Sequence, residues 1–214
     1  MAIKEKTLPQ TPYGNPIRLS FPADEAKNGW LPLLLDVYFM ADTGVYEGIN
    51  LRLKQGQTLA CAKGCSNCCK THTDIPVYPL ELLGLYWYAI EKVQGEPREK
   101  LKLQLRGYTK GNACPFLLEG SCVVHPLRPM ACRHFNVFRQ SCGEGEDPYY
   151  TRRKDVLTPI EKYKEKALAA MLPFHGIKLR AERREAMKKG TIHTFVENLR
   201  ELEWGKLADR MGKQ

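Results

Sequence analysis

Four thiols crowd into nine positions at Cys61-x3-Cys65-x2-Cys68-Cys69, and four more follow at Cys114, Cys122, Cys132 and Cys142. At this density cysteine can ligate a redox cluster, clamp zinc, pair as disulfides or pack as a small apolar side chain. None of the eight lies in the first 60 residues or the last 72. Thiols that merely fill a core scatter along its buried faces, whereas confinement to one central region implies a shared site. All eight are therefore candidate metal ligands. Gly64 lets the first loop turn so that its thiolates converge. Pro115, Pro126 and Pro129 stiffen the loops that carry the later ones.

The spacing also bears on the metal. Zinc knuckles are usually built from two short C-x2-4-C pairs, but here the later gaps are seven, nine and nine residues. Iron–sulfur sites combine a close cysteine group with a remote one, which can precede proline, as Cys114 does. An iron–sulfur cluster of the 4Fe-4S type is thus favoured, with zinc or mononuclear iron as the alternative and a disulfide knot last. Eight thiolates also suffice for two four-ligand sites. Four thiolates around zinc, or around an oxidised four-iron cluster, leave a net negative charge that Arg128, Arg133 and Arg139 are near enough in sequence to offset. His125 and His134, and less directly His72, could replace a thiolate or carry protons; singly, each reads as well as a hydrogen-bonded loop histidine. His175 and His193 lie outside the cluster. Radical enzymes bind S-adenosylmethionine on a four-iron cluster with the spacing of Cys61, Cys65 and Cys68. Against that class, Asn67 stands where an aromatic is expected, and alternating strand–helix units are missing.

The elements around these residues read as helices. Residues 1–27, with Pro9, Pro12, Pro16 and Pro22, suit an extended arm. Trp30, Leu33, Leu34, Val37, Tyr38 and Ala41 make one helical face, with Asp42-Thr43-Gly44 as its expected stop. Pro79 opens a helix to about Val93, and Pro97 opens another that Gly107 ends. Thr158-Pro159-Ile160-Glu161 reads as a capping box starting a helix that lasts to Pro173. Two more helical segments are expected, from Lys178 to Lys189 and from Ile192 through Leu207. The fold class is mostly α: an irregular cysteine-rich metal-binding centre over 28–150, flanked by the arm and by a basic helical extension over 151–214.

The net charge of +9 is concentrated in that extension, where 16 Lys and Arg face 9 Asp and Glu. Such a face can steer the chain to an acidic partner or nucleic acid, though a solvated surface is the plainer reading and no RNA-binding motif accompanies it. No apolar run is long enough for a membrane span or a signal-peptide core. A cytoplasmic chain with reduced thiols and no membrane contact is expected.

Cys61-x3-Cys65-x2-Cys68-Cys69, Cys114-Pro115-Phe116-Leu117 and the run from Gly120-Ser121-Cys122 through Arg128-Pro129-Met130-Ala131-Cys132-Arg133-His134-Phe135 resemble the YkgJ-type cysteine-cluster family. That family is a zinc- or iron-chelating domain of the CxxCxxCC pattern. The resemblance covers about residues 58–142. It departs in the three-residue first spacer and in His125, where tyrosine is common. It extends to a bacterial flagellin lysine methylase whose related region is associated with a four-iron cluster, which implies iron–sulfur over zinc. No glycine-rich loop suited to S-adenosylmethionine accompanies it, so methylase activity is not implied. The expected function is an intracellular metalloprotein, its cluster supporting electron transfer or modification of a partner. The alternatives are a zinc-structured module that contacts an acidic partner or nucleic acid, and a metal chaperone or sensor that uses the Cys68-Cys69 pair. Whether the protein is an enzyme is left open.

Overall fold

The structure is a computed structural model and describes residues 14–212, so residues 1–13 of the proline-rich arm lie outside the described residues. Helix α1 (Pro22–Glu25) leads into the long helix α2 (Trp30–Lys54). The apolar stripe of α2 continues past Ala41 through Val45 and Ile49, all buried. The expected stop at Gly44 is therefore a correction. A Cβ on Gly44 would meet Tyr163 Cβ at 2.7 Å, so the glycine lets helix α8 (Glu161–Met171) press against α2 rather than ending α2. Gly48 does the same for Leu157.

After the first cysteine loop come α3 (Asn67–Thr71), the short strand β1 (Pro76–Val77), and helices α4 (Pro79–Glu91) and α5 (Gly95–Arg106). Pro79 is the first residue of α4, and Gly107 caps α5, as the sequence indicates. The tight hairpin β2 (Leu117–Leu118) and β3 (Ser121–Cys122) turns on Glu119 and Gly120, both at positive φ, and sets Cys122 opposite Leu117. Helix α6 (Met130–His134) carries Cys132, and α7 (Pro148–Thr151) closes the central region.

Helix α8 begins at Glu161 and not at a Thr158 cap. The preceding residues are drawn into extended pairing instead: Leu157 N–H donates to Asn136 O at 2.8 Å, and Val156 bridges Val137. Helix α9 (Arg180–Lys188) ends before Gly190 in the left-handed region. The helix expected from Ile192 is broken. Strand β4 (Glu197–Asn198) interrupts it to pair antiparallel with β1, and the Asn198 side chain accepts from Arg200 N and donates to Thr73 O. Helicity resumes at α10 (Gly205–Met211).

The described residues are thus mostly helical, with two two-stranded sheets. One apolar cluster joins α2, α8 and Ile192, with Leu127 and Met130 from the cysteine region. A second joins α4, α5 and α10 around Phe116 and Trp204. A third packs Val45 and Ile49 against Phe138 and Leu157. No helix among the described residues is long and apolar enough to cross a membrane.

Candidate metal centre

All eight cysteines are free thiols: Cys68 and Cys69 lie on α3, Cys122 on β3, Cys132 on α6, and Cys61, Cys65, Cys114 and Cys142 on loops. Cys69, on α3, receives Cys114 at its backbone: Cys114 N–H donates to Cys69 O at 2.7 Å. The hairpin then sets Cys122 opposite Leu117, three residues after Cys114. Buried Cys114 and the half-buried Cys69, Cys122 and Cys132 all pack into the second apolar cluster.

Cys132 is positioned by two buried ionisable side chains, Glu81 and Arg133. Glu81, fully buried on α4, accepts from Tyr78 N at 3.0 Å and from Met130 N at 2.6 Å, tying the start of α4 to the start of α6. The Arg133 guanidinium, 3% exposed, donates to Arg128 O at 2.9 Å, to Pro126 O and to Asp42 Oδ2 at 2.6 Å. It also lies 3.9 Å over the Tyr38 ring. The Cys122–Cys132 loop is thereby locked onto α2.

The remaining thiols occupy a wetter side. Ala60 N–H donates to Val137 O at 2.8 Å, and Val137 N–H donates in turn to Cys61 Sγ at 3.2 Å. A backbone N–H aimed at sulfur is the contact that stabilises a thiolate ligand. Cys65 is exposed on a turn made by Gly64 at φ +85°. Cys142 sits on a loop held by Arg152, whose Nε meets Glu146 Oε1 at 2.7 Å and whose Nη2 donates to Gln140 O and Ser141 O. Asn67 Nδ2 donates to Glu146 O at 2.8 Å, stitching that loop to the residue before Cys68.

The sulfurs influence one another. The Cys68 thiol is pushed far up by its hydrogen bond to Cys69 and by burial. Cys69 is pushed up to about 12, first by Cys114. Burial raises Cys61 to about 11 and also raises Cys122, Cys132 and Cys142. Without a cation these groups hold their protons, and ligation must release them. Among the described residues no three His, Cys, Asp or Glu side chains stand close enough together to hold a metal ion. The fold supplies the neighbourhood, and a soft metal would supply the final convergence. Thiol donors, an apolar lining and an N–H···S contact fit such a group.

The other sequence candidates separate. The Arg128 charge only partly offsets the rise that burial causes at Cys122 and Cys132, whereas Arg133 serves the clamp above and Arg139 pairs with Asp155 at 3.3 Å. Half-buried His134, pushed down to about 4 by burial, faces Lys164, Asp42, Arg133 and Glu161. His125 leans on Arg128 at 3.3 Å. His72 is better placed: its Nδ1 lies 2.8 Å from Asp147 Oδ2, its ring centroid is 4.7 Å from that of Phe135, and its backbone N–H donates to Cys68 O at 3.0 Å. Sequence reasoning missed Asp147, Asn67, Glu146 and Arg152; only Asp147, directly before Pro148, carries a local sign, that of a helix cap.

The profile of the CxxCxxCC family, described as a "putative zinc- or iron-chelating domain", matches residues 60–158, somewhat under half of the chain. No curated protein and no solved structure matches. The matched segment holds all eight thiols together with the Asn67, Glu146 and Arg152 contacts that place them. Residues 60–158, which carry all eight cysteines, are thus similar to the CxxCxxCC family of zinc- or iron-chelating domains.

Proposed function

We propose that this centre ligates an iron–sulfur cluster of the four-iron type, which serves electron transfer or modification of a partner. The packing of Cys69, Cys114, Cys122 and Cys132 in one apolar cluster with Leu85, Phe116 and Trp204 carries this reading. A structural zinc clamp usually substitutes for a core in a chain too small to build one. Here the thiols adjoin cores that already exist. A dry apolar wall around sulfur is what tunes a cluster's potential and keeps solvent from it. The thiols are free, which suits a reducing compartment such as the cytoplasm. Helix α9 exposes Arg180 and Arg184 and suits an acidic partner.

Anaerobic reconstitution of the metal-free chain with ferrous iron and sulfide tests this. About four irons and four acid-labile sulfides per chain are expected, and Cys114→Ser removes them. A chain that takes zinc at the buried thiols and never retains labile sulfide overturns the proposal.

A further inference from the structure

Among the described residues two guanidiniums are buried, those of Arg133 and Arg200, and they differ in one respect. Arg133 meets the Asp42 carboxylate at 2.6 Å. Arg200, 2% exposed, meets carbonyl oxygens instead: Nη1 donates to His72 O at 2.6 Å and to Lys70 O at 3.5 Å, and Nη2 to Gly111 O at 2.9 Å. Its Nε is buried without a partner, and among the described residues no Asp or Glu pairs with it. A buried charge that lacks an opposite one is among the costliest arrangements a fold can hold. The residue is nonetheless fixed in place: Arg200 N–H donates to Asn198 Oδ1 at 3.0 Å, and Arg200 O accepts from Tyr108 Oη at 3.0 Å and from Gly111 N–H at 3.4 Å. Its carbonyl partners lie on the two segments that enter the cysteine centre. Lys70 follows Cys69, and Gly111 stands three residues before Cys114, whose N–H closes on Cys69 O at 2.7 Å. Leu199, the preceding residue, packs in the same apolar cluster as Cys69 and Cys114. The Tyr108 hydroxyl lies in electrostatic reach of both the Arg200 guanidinium and Cys114.

Resting on the metal-binding reading above, we propose that Arg200 is the buried counter-charge of the metal–thiolate centre, supplied by the C-terminal extension from outside residues 60–158. Four thiolates around zinc, or around an oxidised four-iron cluster, carry a net negative charge. Ligation thus creates the anion that Arg200 lacks in the metal-free fold. Arginines nearer the cysteines in sequence are engaged elsewhere, Arg133 with Asp42 and Arg139 with Asp155. Arg200 is a positioning residue: its contacts are with backbone carbonyls, and it acts on the metal through the end of α3, the segment before Cys114 and its own charge.

The test compares Arg200→Gln, which keeps hydrogen-bond donors and removes the charge, with Arg200→Lys, which keeps the charge and removes the fork. Urea midpoints are measured for the metal-loaded and metal-free full chain of each variant, and metal retention is followed against increasing EDTA. Packing losses common to both states cancel in the difference between the loaded and metal-free midpoints. Arg200→Gln should shrink that difference and weaken metal affinity about 10–100-fold. Arg200→Lys should keep most of the difference even where both of its midpoints fall. Where a metal-free variant does not fold, retention by the loaded chain decides. Equal falls of both midpoints in Arg200→Gln, or a loss of retention in Arg200→Lys as large as in Arg200→Gln, overturns the counter-charge and leaves Arg200 a backbone staple. A chain that holds zinc without labile sulfide overturns the cluster reading, and its retention series still decides the role of Arg200. A chain that binds no metal at all overturns both.

Discussion

Replacing Arg133 by methionine keeps the length and apolar stem of the side chain and deletes its charge. Three hydrogen bonds go with it, to Pro126 O, Arg128 O and Asp42 Oδ2, together with the stacking 3.9 Å over Tyr38. A hydrogen bond to a charged group contributes about 1.5–3 kcal/mol, and the cation–π contact adds about 1–2 kcal/mol where it is desolvated. Against this, the guanidinium no longer has to be stripped of water. Breaking a buried pair from one side costs a net of about 3–5 kcal/mol, and we expect the lower end, about 3 kcal/mol, because Asp42 is 31% exposed and can be rehydrated. With a urea m-value of about 2 kcal/mol/M, the unfolding midpoint of the metal-free chain should fall by about 1.5 M. Arg133→Lys should recover the pairing with Asp42 but not the two-carbonyl clamp, and so fall between. A shift in Arg133→Met corresponding to less than about 1 kcal/mol would show that the Cys122–Cys132 loop is not held onto α2 by this residue.

Three further outcomes are expected. Gly44→Ala forces a Cβ to within 2.7 Å of Tyr163 Cβ and should cost about 1–3 kcal/mol by separating α2 from α8, read as a lower Tm; an unchanged Tm refutes the close-approach role. Burial raises the Glu81 carboxyl from its ordinary 4.5 to about 7, so the folded chain binds the extra proton and stability falls as pH rises through that window; Glu81→Gln should abolish a fall of about 3 kcal/mol in the metal-free protein, and an identical pH slope in wild type and variant refutes it. Asn67→Ala cuts the stitch to Glu146 O and should loosen the Cys142 loop by about 1 kcal/mol, read as a lower Tm of the metal-free chain; an unchanged Tm counts against the staple.

The helices near the cysteines were legible because their signals are local. Pro79 and Gly107 mark ends through their own backbone chemistry, and the α2 stripe is a period in the sequence itself. Gly44 misled because a glycine that ends a helix and one that admits a neighbouring helix look the same until Tyr163 is in place. Asn198 breaks the last segment through a strand partner more than a hundred residues away, which no local pattern encodes. At the centre, confinement of the cysteines revealed a shared region but not which of them pack on the core, which Cys69, Cys114, Cys122 and Cys132 do through contacts made only in the fold. The charge partner of Cys142 is Arg152, found through folding of its loop, while Arg139, nearer in sequence, turns to Asp155.

The most direct test is anaerobic purification of the full chain, followed by a visible spectrum and iron, zinc and acid-labile sulfide analysis of one sample. Broad visible absorbance with iron and labile sulfide near four per chain is the expected result. A colourless protein holding zinc alone would contradict the cluster and make the centre a structural clamp.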